Sequence, residues 1–245
     1  YNRFWLSQRV SKLINNKMMM SETNRKIDMV VFDMAGTTVD ENNVVYKTLH
    51  AAIVNAGIPV SLDDVLLHGA GKEKLQAIKD VLASQGHETT HAQEIYHFFI
   101  NALENAYQNL EVTPCSNAET VFALLKKQEI KVVLNTGYNR ATATGLLNKL
   151  NWIEGEDIDL LVTASDVSNN RPAPDMIDYA IKHFAIADPT TVIKVGDSAI
   201  DIEEGKNAGC GKTFGVTTGA QTREQIQVAN PTAVVDDLLE ILDKI

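Results

Sequence analysis

The stretch IDMVVFDMAGTTVD, residues 27–40, decides how the rest of this sequence is interpreted. Its apolar run from Met29 to Phe32 is typical of a buried strand, and the run stops at Asp33 in front of a glycine-bearing turn. Ligands of open α/β sheets bind outside the carboxyl ends of the strands, so the pattern places a carboxylate beside a crevice. Thr37 and Thr38 follow with hydroxyls and backbone N–H groups that can hold an anion. Taken alone, these residues are equally compatible with an aspartate that caps a turn.

Three later stretches bring further polar residues into a matching order. They are VVLNTG with Thr136, NNRPAP with Arg171, and IKVGDSAID with Asp197 and Asp201. With these four motifs, the chain resembles the haloacid dehalogenase-like hydrolases over residues 27–219. The pieces DMAGTTVD, NTGY and KVGDSAID are similar to the phosphonatase branch of that family, the phosphonoacetaldehyde hydrolase-like enzymes.

Helical and strand patterns alternate from Pro114 onward, which predicts an α/β fold with a Rossmann-like, doubly wound parallel sheet. The predicted elements include a helix over Ala118–Lys127, strands over Leu160–Thr163 and Ala233–Val235, and a terminal helix after the last strand. We expect this catalytic core to comprise residues 27–41 and 113–245. Residues 42–112 carry three amphipathic helical patterns, over residues 44–53, 75–82 and 95–110, so we predict an inserted all-helical cap domain over the crevice. Residues 1–26 fit neither pattern and are interpreted as an accessory N-terminal extension.

Charge and composition restrict the partners. The 22 Lys and Arg residues against 32 Asp and Glu residues give a net charge of −10, which argues against a nucleic-acid or anionic-membrane partner. No apolar run approaches the ~18 residues of a membrane span. The two cysteines, Cys115 and Cys210, are too few for a disulfide framework and predict a reducing, cytoplasmic setting. Apolar residues of the cap could support a homodimer.

Phosphoryl transfer requires a nucleophile, a cation that shields its charge and donors for the phosphoryl oxygens. Asp33 is the predicted nucleophile and would form an aspartyl-phosphate. We expect Mg²⁺ to bind Asp33, Asp197 and the backbone oxygen of Ala35, the set that the resemblance also implies. Asp201 lies one helical turn after Asp197 and is expected to orient a bound water or the metal shell; as an alternative, it is only a charge at a helix N-terminus.

The remaining predicted site residues surround the phosphoryl group. Thr136, the N–H of Gly137 and Thr37 are expected to bind its oxygens. Arg171 is expected to neutralise substrate and nucleophile, since the resemblance implies an arginine in this RP context where most of the family has lysine. On residue type alone, Arg171 is a solvated loop charge.

Ala35 is the main departure from the common phosphatases, which carry a second aspartate two residues after the nucleophile. Without that general acid, expulsion of an alkoxide would lose about 10²–10⁴-fold in rate. The resemblance to the phosphonatase branch implies a different leaving group, a carbanion stabilised as an enamine after a cap lysine forms a Schiff base. The Gly-x-x-Lys pattern of that lysine fits both Lys72 and Lys74. The histidine expected three positions later is Leu75 or Ala77 here.

A competing motif lies in the predicted cap. His87 to His91 matches H-E-x-x-H, and His97 has the spacing of a third zinc ligand. Glu94 stands where metzincins need glycine, and on a continuing helix His97 could not converge with the other two rings. Thr89 or Thr90 as a helix N-cap is the simpler interpretation.

The sequence therefore predicts a magnesium-dependent hydrolase that cleaves the P–C bond of a small phosphonate. Its nearest alternative is a phosphatase acting on a small phosphate monoester with a good leaving group, or with an acid from the cap. A more remote alternative is a non-catalytic binding protein that kept the fold.

Overall fold

The computed structural model describes residues 26–245. In this range the chain forms eight strands, which are β1 Met29–Asp33, β2 Val39–Asp40, β3 Thr113–Pro114, β4 Lys131–Thr136, β5 Leu160–Thr163, β6 Val192–Gly196, β7 Lys212–Val216 and β8 Ala233–Val235. It also forms nine α-helices, which are α1 Val44–Asn55, α2 Leu62–Gly69, α3 Lys74–Ser84, α4 Ala92–Asn109, α5 Ala118–Lys127, α6 Arg140–Leu150, α7 Asp175–His183, α8 Ala199–Asn207 and α9 Arg223–Gln227.

Six of these strands of residues 26–245 form one parallel sheet in the order β5-β4-β1-β6-β7-β8. The central strand β1 is buried along its whole length, as expected for a strand covered on both faces. Phe32 pairs with Leu134 of β4 on one side and with Val195 of β6 on the other. The carboxyl ends of β4, β1 and β6 therefore meet at one edge of the sheet.

Side chains of β1 alternate between two apolar layers. Met29 and Val31 pack into the cluster that contains Met176 of α7, whereas Val30 and Phe32 pack into the cluster on the opposite face. The Phe32 and Phe122 rings make an edge-to-face contact with centroids 5.5 Å apart. Helices thus cover both faces of the sheet, which confirms the predicted doubly wound α/β architecture.

Helices α1 to α4 all lie between β2 and β3. These two short strands pair antiparallel, with Val39 opposite Pro114 and Asp40 opposite Thr113, so the helical segment leaves and re-enters the α/β part at a single place. The segment spans residues 44–109 and falls within the predicted cap. Its status as a separate domain, with the boundaries expected above, stays a prediction.

Two details differ from the sequence expectations. Helix α2 was not predicted, although a Ser61–Asp64 capping box marks its start. The expected terminal helix is a 3₁₀ helix over Leu238–Lys244. The predicted extension 1–26 lies outside the described residues except for Lys26. None of the helices in residues 26–245 has the length and apolar character that crossing a bilayer requires.

Candidate active site

Asp33 ends β1 and lies beside Arg171 at the carboxyl edge of the sheet. Nη1 of Arg171 is 2.7 Å from Oδ1 of Asp33, and both side chains are buried. Burial raises the pKa of the Asp33 carboxyl, and the adjacent guanidinium opposes that rise. Arg171 is therefore not the solvated loop charge that its residue type alone suggests. It lies where a cation can neutralise the predicted nucleophile.

The Arg171 guanidinium is bound on all of its nitrogens. Nη2 donates to the side-chain oxygen of Asn135 at 2.7 Å and to its backbone oxygen at 2.9 Å. Nε donates to Glu204 at 2.9 Å. Nη1 also donates to the backbone oxygen of Gly71, in the helical segment, at 3.2 Å. This set of contacts fixes the plane of the guanidinium and joins the helical segment to the sheet edge.

Lys194 is a second buried cation that sequence reasoning missed. Its Nζ donates to Asn135 at 2.6 Å and lies 3.0 Å from Asp201 and 3.3 Å from Glu204. Lys194 and Glu204 are fully buried. The detectable signal was a lysine inside the otherwise apolar strand VIKVG, because a charge is rarely buried there without a partner.

Three carboxylates meet at the same edge and fit a divalent cation. Asp33, Asp197 and Asp201 each offer an oxygen, and these atoms lie within 4.8 Å of one another. Burial, together with repulsion from Asp33 and Asp201, raises the pKa of Asp197 well above its usual range. Asp201 differs, because Arg171 and Lys194 outweigh the effect of burial and hold its pKa below the usual range. Oxygen ligands of this kind suit Mg²⁺.

The two carboxylates other than Asp33 are held in place by donors around them. Asp197 accepts from the backbone N–H of Ala220 at 2.5 Å, and Asp201 accepts from the hydroxyl of Ser198 at 2.5 Å. Asp201 also lies 3.1 Å from Nη1 of Arg171, so it bridges the cations and the other carboxylates. The participation of the Ala35 carbonyl stays a prediction.

The predicted phosphoryl-binding residues surround the ends of β1 and β4. Thr37 is fully buried, and its hydroxyl has no hydrogen-bond partner among residues 26–245. Such an orphaned polar group is costly unless a ligand or water satisfies it. Thr136 is buried and accepts the N–H of Tyr138 at 3.2 Å. The hydroxyl of Thr38 instead donates to the Asp33 carbonyl at 2.9 Å and stabilises the turn.

The structure separates the two candidate lysines. Nζ of Lys72 pairs with Asp80 at 2.5 Å, and both side chains are partly exposed. Lys74 is buried, and its Nζ donates to the Lys72 carbonyl at 2.8 Å and faces the rings of Tyr46 and Tyr138 at 5.4 and 5.3 Å. Burial lowers the pKa of Lys74. Of the two, Lys74 is in the environment that favours a neutral, nucleophilic amine.

A cavity of about 220 Å³ lies between the helical segment and the sheet edge. Lys74, Gly137, Tyr138 and Asn170 contribute to its lining. Gly137 allows the close approach of the two parts, since a Cβ there would lie 2.6 Å from the Lys72 carbonyl oxygen. The side-chain oxygen of Asn170 is buried without a hydrogen-bond partner among residues 26–245. The cavity therefore presents an amine and polar groups to a small ligand.

The H-E-x-x-H stretch forms no metal site in residues 26–245, where Asp33, Asp197 and Asp201 are the group found to suit an ion. Helix α4 begins at Ala92, so the stretch precedes the helix instead of lying within it. The N-cap expected at Thr89 or Thr90 is wrong, because His91 occupies that position and makes no side-chain cap hydrogen bond.

Both cysteines have weakly acidic thiols. Burial raises the pKa of Cys115 and that of Cys210 to about 12, so a thiolate would be scarce at neutral pH. Both are free of disulfides.

Comparison with known proteins agrees with this fold and with the order of its motifs. A family model described as haloacid dehalogenase-like hydrolase matches residues 30–216. A phosphonoacetaldehyde hydrolase of Latilactobacillus sakei is 32% identical over 196 residues, which cover 75% of this chain and 73% of that protein.

Solved structures show the same fold. A hydrolase from Pseudomonas syringae aligns with a TM-score of 0.79 at 22% identity, covering 89% of this chain and 99% of the other. A phosphonoacetaldehyde hydrolase-like protein from Oleispira antarctica aligns with a TM-score of 0.77 at 23% identity, covering 90% and 92%. With a family model that matches most of its length, this chain belongs to the haloacid dehalogenase-like hydrolases.

Proposed function

We propose that this hydrolase cleaves the carbon–phosphorus bond of phosphonoacetaldehyde or of a closely similar small phosphonate that carries an aldehyde. One observation carries the proposal. Lys74 is a buried amine with a lowered pKa, and it lines a small cavity between the helical segment and the sheet edge. Asp33 and Arg171 pair at the carboxyl end of β1, and the charges of both act on Lys74. A simple phosphatase has no need of such an amine, whereas cleavage of a P–C bond needs an electron sink on the carbon side.

The reaction uses the two ends of the site in sequence. The neutral amine of Lys74 attacks the aldehyde carbon, water leaves, and a protonated imine forms. A carboxylate oxygen of Asp33 then attacks phosphorus, and the electrons of the P–C bond move into the imine to give an enamine and an aspartyl-phosphate. Water hydrolyses the aspartyl-phosphate to phosphate. Protonation of the enamine carbon and hydrolysis of the resulting imine release acetaldehyde and restore Lys74.

This route accounts for Ala35. An alkoxide leaving group would require a general acid at that position, whereas an enamine requires none. The 32% identical relative, a phosphonoacetaldehyde hydrolase, also supports this substrate class.

Asp33, Asp197 and Asp201 would hold Mg²⁺. When bound, the ion shields the negative charge of the phosphonate from the attacking carboxylate. Arg171 orients Asp33 and would neutralise part of the same charge. Thr37, Thr136 and the N–H of Gly137 are the proposed donors to the phosphoryl oxygens, with Asp201 beside them.

The helical segment acts as the cap in this proposal. Gly71 lies against the turn that follows β6, and a Cβ on Gly71 would lie 2.5 Å from both Ser198 Oγ and Ile200 Cγ2. A cap that packs this closely excludes water from the imine and from the aspartyl-phosphate until the chemistry requires it.

Borohydride trapping tests the proposal directly. With phosphonoacetaldehyde and Mg²⁺, reduction should add the substrate-derived carbons to the Lys74 peptide, detected by mass spectrometry, and should stop turnover. Lys74→Arg keeps the positive charge but should give no adduct. Lys72→Arg is the matched control and should trap as the unaltered enzyme does. Absence of any adduct, together with turnover of phosphate monoesters, would replace this proposal with the phosphatase alternative.

A further inference from the structure

If Lys74 forms an imine, as the proposed function requires, a nearby group must transfer protons to and from the site. A buried ammonium group must first lose a proton, and the carbinolamine must later gain one before water can leave. The cavity lining within residues 26–245 includes no histidine, and its carboxylate, Glu73, accepts the N–H groups of Leu75 and Gln76 at the start of α3. A different group must therefore accept and return the proton.

Glu41 has the position and chemistry for this task. It directly follows the exposed Asp40, yet its own side chain is only 2% exposed. Its Oε2 accepts the N–H of Val45 at 3.0 Å and the hydroxyl of Tyr107 at 3.2 Å. Burial raises its pKa to about 7, although these two donors and the charge of Lys74 act in the opposite direction. Near neutral pH, Glu41 can both take and give a proton.

A pair of tyrosine hydroxyls connects Glu41 to the cavity. Tyr107 donates to Glu41, and its oxygen lies 2.9 Å from the Tyr138 hydroxyl. Tyr138 lines the cavity together with Lys74, whose Nζ is 5.3 Å from the centre of its ring. The pKa of both tyrosines is raised well above the usual value, mainly by burial and secondly by the nearby charge of Glu41. Both hydroxyls therefore keep their protons and can relay one by donating and accepting together.

Titratable groups from several elements face Glu41. Lys74 of α3 is the cation among them, and Tyr107 of α4 donates to it. The charge of Glu41 also raises the pKa of Tyr46 in α1, of Tyr138 after β4 and of Cys115 after β3. The tyrosines and the thiol all have raised pKa values, whereas burial lowers the pKa of Lys74 and raises that of Glu41 to about 7.

We propose that Glu41, acting through the hydroxyls of Tyr107 and Tyr138, accepts the proton of Lys74 and returns it during imine formation. The ammonium proton passes through water in the cavity and the two tyrosine hydroxyls to the Glu41 carboxylate, and the neutral amine forms a C–N bond with the aldehyde carbon. The carbinolamine then takes the proton back from Glu41, its C–O bond breaks, and water departs. Lys74 is left as the protonated imine and Glu41 as the carboxylate. Glu41 is a positioning residue, since it acts on Lys74 through the two tyrosines.

The test is the pH dependence of kcat/KM for phosphonoacetaldehyde with Mg²⁺, measured as phosphate release by ³¹P NMR. The unaltered enzyme should show a rate that rises with pH through about 7, where Glu41 loses its proton. Glu41→Gln and Tyr107→Phe should each lose this limb and be about 10²-fold slower at pH 7.5. Because they interrupt one relay, the double variant should be no slower than either single variant. Glu104→Gln, an exposed charge change on α4, is the matched control.

The outcomes separate this inference from the proposed function. If kcat/KM in both variants still rises with pH near 7 and is lower by the same factor at every pH, Glu41 has a structural role and the relay is wrong. Tyr107→Phe preserves the ring and decides the question if Glu41→Gln folds poorly. Borohydride trapping of the unaltered enzyme serves as the reference. If borohydride traps Lys74 but the pH dependence of kcat/KM in the variants is that of the unaltered enzyme, only the relay is overturned. If borohydride traps no adduct on Lys74, both the proposed function and the relay are overturned.

Discussion

Arg171 places Nη1 2.7 Å from Oδ1 of Asp33, although 138 residues separate the two in the chain. The same guanidinium contacts Asn135, Glu204 and Gly71. The predicted nucleophile is therefore oriented by a side chain that contacts both the sheet edge and the helical segment.

Arg171→Lys should retain the charge but lose most of these contacts. A lysine ammonium cannot span acceptors on several sides of a planar fork, so we expect kcat to fall by about 10²-fold or more, as with other lost electrostatic donors. Steady-state kinetics with Mg²⁺ check this. Arg223→Lys alters an exposed ion pair with Asp236 and should change kcat little. Equal kinetics for the two variants would contradict the proposed role of Arg171.

Asp197→Asn should weaken Mg²⁺ binding. Removing one of three converging carboxylates takes away a ligand and a negative charge, and we expect at least about a tenfold loss of affinity by isothermal titration calorimetry. Asp236→Asn, an exposed carboxylate outside the cluster, is the control. The measurement needs no substrate, so it tests the metal site independently of the reaction. Unchanged affinity in Asp197→Asn would place the ion elsewhere.

Lys194→Met should destabilise the fold. Asp201 and Glu204 would keep only Arg171 as a neutralising cation, and breaking a buried network of this kind costs about 3–5 kcal/mol. The urea concentration at the unfolding midpoint of Lys194→Met is compared with that of the unaltered protein and of a control variant. Lys131→Met removes a partly exposed strand lysine that pairs with Asp159 and should cost about 1 kcal/mol or less.

A compensating change sharpens this test. Adding Glu204→Gln to Lys194→Met leaves Arg171 with one fewer buried carboxylate to neutralise, so the double variant should recover part of the lost stability. If Lys194→Met costs no more than Lys131→Met, the network is not important for stability.

Glu41→Gln should change how stability depends on pH. The pKa of Glu41 is raised from 4.5 to about 7 in the folded chain, so the folded state binds the proton more tightly than the unfolded state does. The stabilisation is complete below about pH 4.5 and is lost as pH rises through about 7. Relative to Glu41→Gln, the unaltered protein should lose up to about 3 kcal/mol across this range.

Urea unfolding at pH 5 and pH 8 measures the difference. Glu104→Gln should follow the unaltered protein at both values, because that side chain is exposed. If the stability gap between Glu41→Gln and the unaltered protein is the same at both pH values, Glu41 does not titrate in this range.

Sequence patterns predicted those elements whose apolar runs are bounded by turn residues. Strands Leu160–Thr163 and Ala233–Val235 and helix Ala118–Lys127 agree to the residue. Helix Leu62–Gly69 was missed because it is short and carries Asp63 and Asp64 in its first turn, where they obscure its apolar face. The capping box would have revealed it.

The candidate site was only partly visible for a different physical reason. Asp33, Asp197 and Arg171 follow strand ends or conspicuous turns, so their convergence follows from a parallel sheet. Burial of single charged residues depends on tertiary packing, and no local pattern distinguishes Lys74 from Lys72. Lys194 was missed because a lone lysine in an apolar strand was treated as part of the strand.

The hydrogen bond from Arg171 to the Gly71 carbonyl has a consequence for product release. The Nη1 group that donates to Gly71 also donates to Asp33, so phosphate set free at Asp33 would compete with the Gly71 carbonyl for this donor. We expect binding of inorganic phosphate to weaken the contact between Arg171 and Gly71 and to increase amide hydrogen exchange around residues 69–73. The helical segment would then open in response to the product of the reaction, after the steps that need water excluded.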